Sequence, residues 1–207
     1  MLTAIIDYGS GNLHSAYKAF EKITASNNLG SVIVTSDPKI ISSADRLVLP
    51  GDGAFPSCKS ELMASEAYEA LVFSVVEKSR PFLGICVGMQ IMASGSEVGN
   101  KEGLGWFNTE VCKFKSSNIH YPLPHMGWNS LNIHTNSILF SYLNDKKIFY
   151  FLHSYHFKSD YKHTIATSNY STDIGAVIKR DNIFGIQCHP EKSHYNGVTL
   201  LKNFYEL

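Results

Sequence analysis

Pro81-Phe82-Leu83-Gly84-Ile85-Cys86-Val87-Gly88-Met89-Gln90 is the stretch whose reading decides the fold. An apolar run suited to a buried strand leads into a cysteine set between two glycines. The segment that follows, Met89-Gln90-Ile91-Met92-Ala93, is compatible with a helix. Strand, tight turn and helix with a reactive atom at the apex is the grammar of a nucleophile elbow. Gly84 and Gly88 are expected to let the backbone turn without a side-chain clash. A helix starting after Cys86 would aim free N–H groups and its positive dipole end at the sulfur, which favours thiolate. The same residues also fit an inert strand cysteine beside a Gly-rich turn.

Working outward, Leu2 to Ile6, Val32 to Val34, Leu47 to Leu49 and Pro81 to Ile85 read as short buried strands. Leu13 to Lys22 carries Leu13, Tyr17 and Phe20 at helical spacing, and Ser60 to Lys78 reads as one helix. Pro38 to Ala44 is too short and polar to assign. Such alternation predicts an α/β fold: a central, mostly parallel sheet flanked by helices. Beyond about Gly95 the pattern changes. Val111 to Phe114, Ser130 to Ile133, Ile148 to Phe151, Thr164 to Thr167, Ile174 to Ile178 and Ile183 to Gln187 read as strands of mixed, partly antiparallel direction. Val198 to Phe204 reads as a closing helix. A single domain over residues 1–207 is expected.

With 207 residues, 44% of them hydrophobic, the chain can bury a sizeable core. Lys+Arg and Asp+Glu both total 18, so no basic surplus argues for nucleic acid and no polybasic tail for a membrane surface. Asp7 ends the first apolar run too early for a signal peptide, and no run approaches a membrane span. Cys58, Cys86, Cys112 and Cys188 are widely separated, which suits a reduced cytoplasmic protein. His153 and His156 are spaced i, i+3, but no compact ligand cluster appears, so neither a metal nor a cofactor is expected.

A cysteine nucleophile needs a base, and the base needs an orienting group. His189, in Gly185-Ile186-Gln187-Cys188-His189-Pro190-Glu191, follows an apolar strand, where parallel sheets place functional loops. Pro190 disfavours a helical conformation at His189. An extended backbone would turn Glu191 to the same side as His189, where its carboxylate fixes the imidazole tautomer. Pro50-Gly51-Asp52-Gly53-Ala54-Phe55 is a Gly-rich loop after a buried strand, able to present backbone N–H groups to an oxyanion or a phosphate. It lacks the Lys-Ser/Thr ending of a P-loop. An oxyanion role requires the Asp52 carboxylate to point outward.

Together these segments resemble a class I (triad-type) glutamine amidotransferase, most closely the glutaminase subunits of imidazole glycerol phosphate synthases. The likeness covers essentially the whole chain. It rests on Asp7-Tyr8-Gly9-Ser10-Gly11-Asn12, the Gly51 loop, the Cys86 elbow, Glu102-Gly103-Leu104-Gly105, Pro124-His125-Met126-Gly127-Trp128-Asn129, His153-Ser154-Tyr155 and Gln187 to Ser193. The resemblance implies Cys86 as nucleophile, His189 as base and acid, and Glu191 as orienting carboxylate. It implies oxyanion donors at Val87 and Asp52 within the Gly51–Gly53 loop, and a glutamine pocket at Gly88, Gln90, Ser154 and Tyr155. The partner it implies is a (β/α)8-barrel synthase in a heterodimer, to which ammonia is channelled. Asn12, Met126, Trp128 and Asn129 fall in partner-facing segments, although Asn12 also suits a helix cap and Trp128 an ordinary core.

Four features depart from the family pattern. Asp52 replaces a small apolar residue, Cys188 replaces an aromatic, His194 stands where glutamine is common, and a proline-containing turn is missing near Trp106 to Thr109. They leave open a paralogue that supplies ammonia for amidination of a surface-polysaccharide sugar.

Overall fold

The computed structural model describes residues 1–114, 121–160 and 162–207. The first half runs β1 (Leu2–Ile6), α1 (Leu13–Asn27), β2 (Ser31–Thr35), α2 (Pro38–Ser43), β3 (Arg46–Gly51), α3 (Phe55–Ala64), α4 (Ala67–Val72) and β4 (Phe82–Cys86). Next come α5 (Val87–Gln90), β5 (Ala93–Ser96), β6 (Lys101–Glu102), β7 (Phe107–Lys113), β8 (His125–Ser130) and β9 (Asn132–Ile133). The chain ends with β10 (Ile148–His153), β11 (Tyr155–Phe157), β12 (Thr164–Asn169), β13 (Asp173–Arg180), β14 (Ile183–Ile186) and α6 (His194–Asn203).

One sheet carries most of the strands, in the order β2-β1-β3-β4-β14-β13-β11-β7-β5-β6. From β2 to β14 every pairing is parallel, with β4 between β3 and β14. β13 then turns the sheet antiparallel against β14 and β11. β8 and β10 form a separate antiparallel pair in which His125 faces His153. This is the expected α/β sheet with mixed strands in the second half. β3 and β4 are buried at every residue, as strands covered on both faces must be.

Glycine serves close packing here more than turning. Gly84 and Gly185 lie side by side in β4 and β14. A Cβ on Gly84 would meet the Gly88 carbonyl oxygen at 2.7 Å, and one on Gly88 the Leu49 carbonyl oxygen at 1.9 Å. Neither Gly84 nor Gly88 has a positive φ, so the expectation that they relieve the turn is corrected. They let α5 sit directly on the sheet.

Several element expectations also change. The helix read over Ser60 to Lys78 is three pieces that begin earlier, at Phe55, with Pro56 in the first turn. α3 stops because Ser65 is extended (φ −79°, ψ 152°) and its hydroxyl donates to the Leu62 carbonyl at 2.7 Å. Phe73–Glu77 then widens into a π turn. The helix after Cys86 ends at Gln90, because Ala93 pairs with Phe107 in the sheet. α1 runs on to Asn27, where Asn28 adopts a left-handed cap. Asp37 caps α2, accepting from the Lys39 N–H at 2.8 Å. The closing helix begins at His194. The 3-10 turn that follows it, Phe204–Glu206, is anchored by the buried Arg46, which donates to the carbonyls of Phe204 (3.2 Å), Tyr205 (2.6 Å) and the terminal Leu207 (2.8 Å).

Gly88→Ala is expected to destabilise the fold by about 1–3 kcal/mol through overpacking. Gly95→Ala, whose added Cβ would lie 3.7 Å from its nearest neighbour, is expected to stay within about 0.5 kcal/mol of the parent. Urea unfolding of the two variants checks the contrast.

Candidate active site

The strand order settles which loops meet. β3 ends in Pro50-Gly51, β4 ends in Cys86, and β14 leads into Gln187-Cys188-His189. Gly51 is in register with Cys86, and Ile186 with Ile85. Three neighbouring parallel strands therefore deliver their carboxyl ends to one place, where open α/β sheets hold ligands. The positive φ of the elbow falls on Cys86 itself (φ 54°, ψ −114°). This costs backbone strain at the residue whose side chain it lifts out of the strand.

His189 is extended (φ −102°, ψ 94°) ahead of Pro190, as expected, but Pro190–Lys192 then forms a 3-10 turn, so Glu191 reaches the imidazole from that turn and not by the alternation of an extended strand. Its N–H donates to the Tyr150 carbonyl at 2.8 Å, and its carbonyl accepts from the Ser193 hydroxyl at 2.6 Å. With the backbone held, Nδ1 lies 2.8 Å from Glu191 Oε1. Both side chains are buried. Burial by itself pulls the imidazole pKa down; interaction with the Cys86 sulfur and with Glu191 outweighs it and raises the value to about 10. Since the carboxylate occupies Nδ1, Nε2 is the nitrogen left for the sulfur. Glu191 Oε2 is buried without a hydrogen-bond donor among the described residues, so the carboxylate's charge is offered chiefly to the imidazole. The Cys86 sulfur also accepts from Gln187 Nε2 at 3.8 Å and, as a thiol, donates weakly to the Leu152 carbonyl at 3.9 Å.

The Gly51 loop is gripped from outside the site. Tyr8 OH donates to the Pro50 carbonyl at 2.9 Å. The Ser10 hydroxyl (3.0 Å) and the Cys58 thiol (3.2 Å) both donate to the Asp52 carbonyl. Burial raises the Cys58 pKa, which keeps it a donor. In a planar trans peptide the N–H opposes the C=O, so the Gly53 N–H points away from Ser10 and Cys58. Asp52 is solvent-exposed, which leaves its carboxylate hydrated. Gly53 takes a positive φ of 101°. Gly11 (φ 100°) packs so close that a Cβ there would lie 2.9 Å from the Pro50 oxygen.

Beside Cys86 opens a cavity of about 370 Å³, lined among others by Asp52, Gly53, Val87, Gln90, Ser154 and Tyr155. Gly88 does not line it, because it is pressed against β3. A small cavity of about 10 Å³ joins Asn12, Gly51 and Asp52 to His189 and Glu191. A larger, shallow depression of about 760 Å³ near Asn136 and Lys147 holds none of these groups; chemistry, not size, locates the site. Asn12 caps α1, accepting from the Ser15 N–H at 3.2 Å, while also lining that small cavity. Trp128 is not core: it is 50% exposed and stacks on His194 at 5.0 Å, and Met126 is 63% exposed. Asn129 Nδ2 donates to the Asn169 carbonyl at 2.8 Å and lies 3.3 Å from His125 Nε2. No group of three or more metal-ligating side chains is assembled among the described residues.

Three participants escaped the sequence reading: Gln187 on the Cys86 sulfur, and Tyr8 and Ser10 on the Gly51 loop. Each lies inside a quoted motif, but its partner sits far away in sequence. Burial pushes the Cys188 thiol well above its ordinary pKa, so the second cysteine of this region stays protonated.

The family model "Glutamine amidotransferase class-I" matches residues 4–207. The chain is 47% identical to "Imidazole glycerol phosphate synthase subunit HisH" of Ruegeria pomeroyi, over 99% of this chain and 98% of that protein. It is 43% identical to the subunit of the same name from Cereibacter sphaeroides, over 99% and 98%. A crystal structure titled glutamine amidotransferase superposes with a TM-score of 0.71 at 13% identity, covering 98% of this chain and 97% of that one. A glutamine amidotransferase from Thermotoga maritima gives 0.65 at 18% identity, covering 92% and 76%. The structural likenesses carry the fold, and the sequence matches carry the descent: this chain belongs to the class-I glutamine amidotransferases, among the HisH-type subunits.

Proposed function

We propose that residues 1–207 act as one glutaminase domain that hydrolyses L-glutamine and passes the ammonia to a (β/α)8-barrel synthase, which makes imidazole glycerol phosphate and AICAR in histidine biosynthesis. The observation that carries this reading is the buried Nδ1–Oε1 contact of 2.8 Å between His189 and Glu191, set beside a strained Cys86. The names of the relatives favour the histidine branch over sugar amidination.

In this reading the His189 imidazolium already holds on Nε2 the proton it shares with Cys86, and the sulfur attacks the glutamine side-chain carbonyl carbon. The carbonyl oxygen gains negative charge, met by N–H groups of Val87 and the Asp52–Gly53 loop. As the C–N bond breaks, the imidazolium returns the proton to the departing ammonia. Water then attacks the thioester, giving its proton to His189. The C–S bond breaks, and glutamate leaves. Gln187 donates to the sulfur throughout. Gln90, Ser154 and Tyr155 form the wall that receives the amino acid. Met126, Trp128 and Asn129 present the face to the synthase, and Asn12 stands beside Glu191. A closed path matters because ammonia that meets water at neutral pH is protonated and no longer nucleophilic.

Cys86→Ala is expected to abolish glutamine hydrolysis while the reconstituted pair keeps ammonia-dependent synthase activity. Ordinary glutamine-dependent turnover by the variant contradicts the assignment. Measuring both activities in one complex checks it.

The raised imidazole value has a definite sign. The proton on His189 stabilises the fold fully below its ordinary value of 6.5, and that contribution fades as the pH rises through about 10. An NMR titration of His189 is expected to give a midpoint near 10 in the parent and a lower one in Glu191→Gln. A parent midpoint at or below 6.5 counts against a coupled triad.

A further inference from the structure

We propose that His125 and His153 are positioning residues for glutamine hydrolysis, linked in one continuous chain of hydrogen bonds that joins Asn129 on β8 to the sulfur of Cys86. The proposal rests on the glutaminase reading.

The chain is fixed by donor and acceptor logic. His153 Nδ1 lies 2.8 Å from the Tyr155 carbonyl, which only accepts, so Nδ1 carries hydrogen. In the neutral ring His153 Nε2 is then an acceptor, and it lies 2.9 Å from His125 Nδ1, which must carry the other hydrogen. His125 Nε2 is left to accept from Asn129 Nδ2 at 3.3 Å. Onward from the Tyr155 carbonyl, Gln90 Nε2 supplies a second donor at 3.0 Å. The other Gln90 N–H goes to Gln187 Oε1 at 3.1 Å. This turns the Gln187 amide so that its nitrogen faces Cys86 Sγ at 3.8 Å. No donor faces a donor anywhere along the path.

The surroundings keep both rings uncharged. His125 is sandwiched between Phe151 (4.7 Å) and Tyr170 (3.9 Å), and Phe114 lies 5.6 Å from His153. Burial lowers the His125 pKa to about 4. It also leads the lowering of His153 to about 3. A second proton on either ring would set N–H against N–H across the 2.9 Å contact. A polar relay this deeply buried is costly compared with apolar packing unless it is fully satisfied. This one ends on the attacking atom and, through His153 and Tyr155, on the wall of the 370 Å³ cavity. Its outer end lies on the strand that exposes Met126 and Trp128.

The test is inactivation by a diazoketone analogue of glutamine, run on the full chain with its synthase subunit. If the parent is not labelled at Cys86, the glutaminase reading itself fails. If the parent is labelled, His125→Phe and His153→Phe are each expected to lower the inactivation rate constant about tenfold, the worth of one well-placed hydrogen bond. The analogue's binding constant should stay within about threefold, and the double variant should be no slower than His153→Phe alone. Unchanged rate constants, or losses that multiply in the double variant, overturn the proposal. A ¹⁵N NMR spectrum of the parent chain is independent of how the variants fold. It is expected to show both rings neutral with hydrogen on Nδ1, and both shifting when Cys86 is alkylated. Either ring charged, or carrying hydrogen on Nε2, at neutral pH overturns it equally.

Discussion

The placement of β4 between β3 and β14 is the constraint on which the rest depends. Backbone pairing puts Gly51 opposite Cys86 and Ile186 opposite Ile85. The sulfur, the Gly-rich loop and the imidazole then share a neighbourhood without any long-range search by side chains. Gly84 and Gly88 make this geometry reachable, since a methyl group at either would meet backbone and push α5 off the sheet, while one at Gly185 would crowd the Met89 and Met92 side chains. Packing sets the stage to within ångströms. Local backbone conformation does the rest: a left-handed Cys86 and an extended His189 ahead of proline.

Electrostatics at this edge is a contest with a clear winner. Burial disfavours a charged imidazole, yet Cys86 and Glu191 together hold His189 protonated far above the usual histidine range. Deep inside, the opposite holds: among the described residues no carboxylate acts on His125 or His153, and burial leaves them neutral. Two kinds of histidine, separated by a few side chains, thus carry different duties because only one has an acidic neighbour. Cys58 and Cys188 follow the same rule among thiols: burial keeps both protonated, as bystanders or donors.

The parts legible in sequence were those encoded within a few consecutive residues. Cys86 announced itself through its flanking strand and glycines, and Pro190 disclosed the extended His189, whereas the 3-10 turn that brings Glu191 to it was not read. The parallel core was readable because its strands are short, mostly apolar and separated by helical spacing. The glycines of the elbow were read for the wrong physical reason: their φ values are ordinary, and it is the space they leave empty that counts. The break at Ser65 was hidden because a serine hydroxyl competing for the Leu62 carbonyl looks, in sequence, like one more polar helix position. β8 escaped because its exposed Met126 and Trp128 disguise the alternation of a half-buried strand. Gln187 and Gln90 bond across 97 positions, and His125 and His153 across 28. No local pattern records such contacts, since strand register makes them.

Trp128 stacked on His194, and Met126 beside it, extend the site to an apolar face on the rim. Trp128 also packs on Tyr150, whose carbonyl holds the His189 N–H. The central claim is that the Cys86 sulfur becomes covalently bonded to substrate. Acid-quenching the complex during glutamine turnover and mapping the adduct by mass spectrometry tests it most directly. A glutamyl group in thioester linkage on Cys86, and on none of Cys58, Cys112 or Cys188, is the predicted result. Sustained glutamate release with the glutamyl group on another residue, or with Cys86 blocked beforehand, contradicts it.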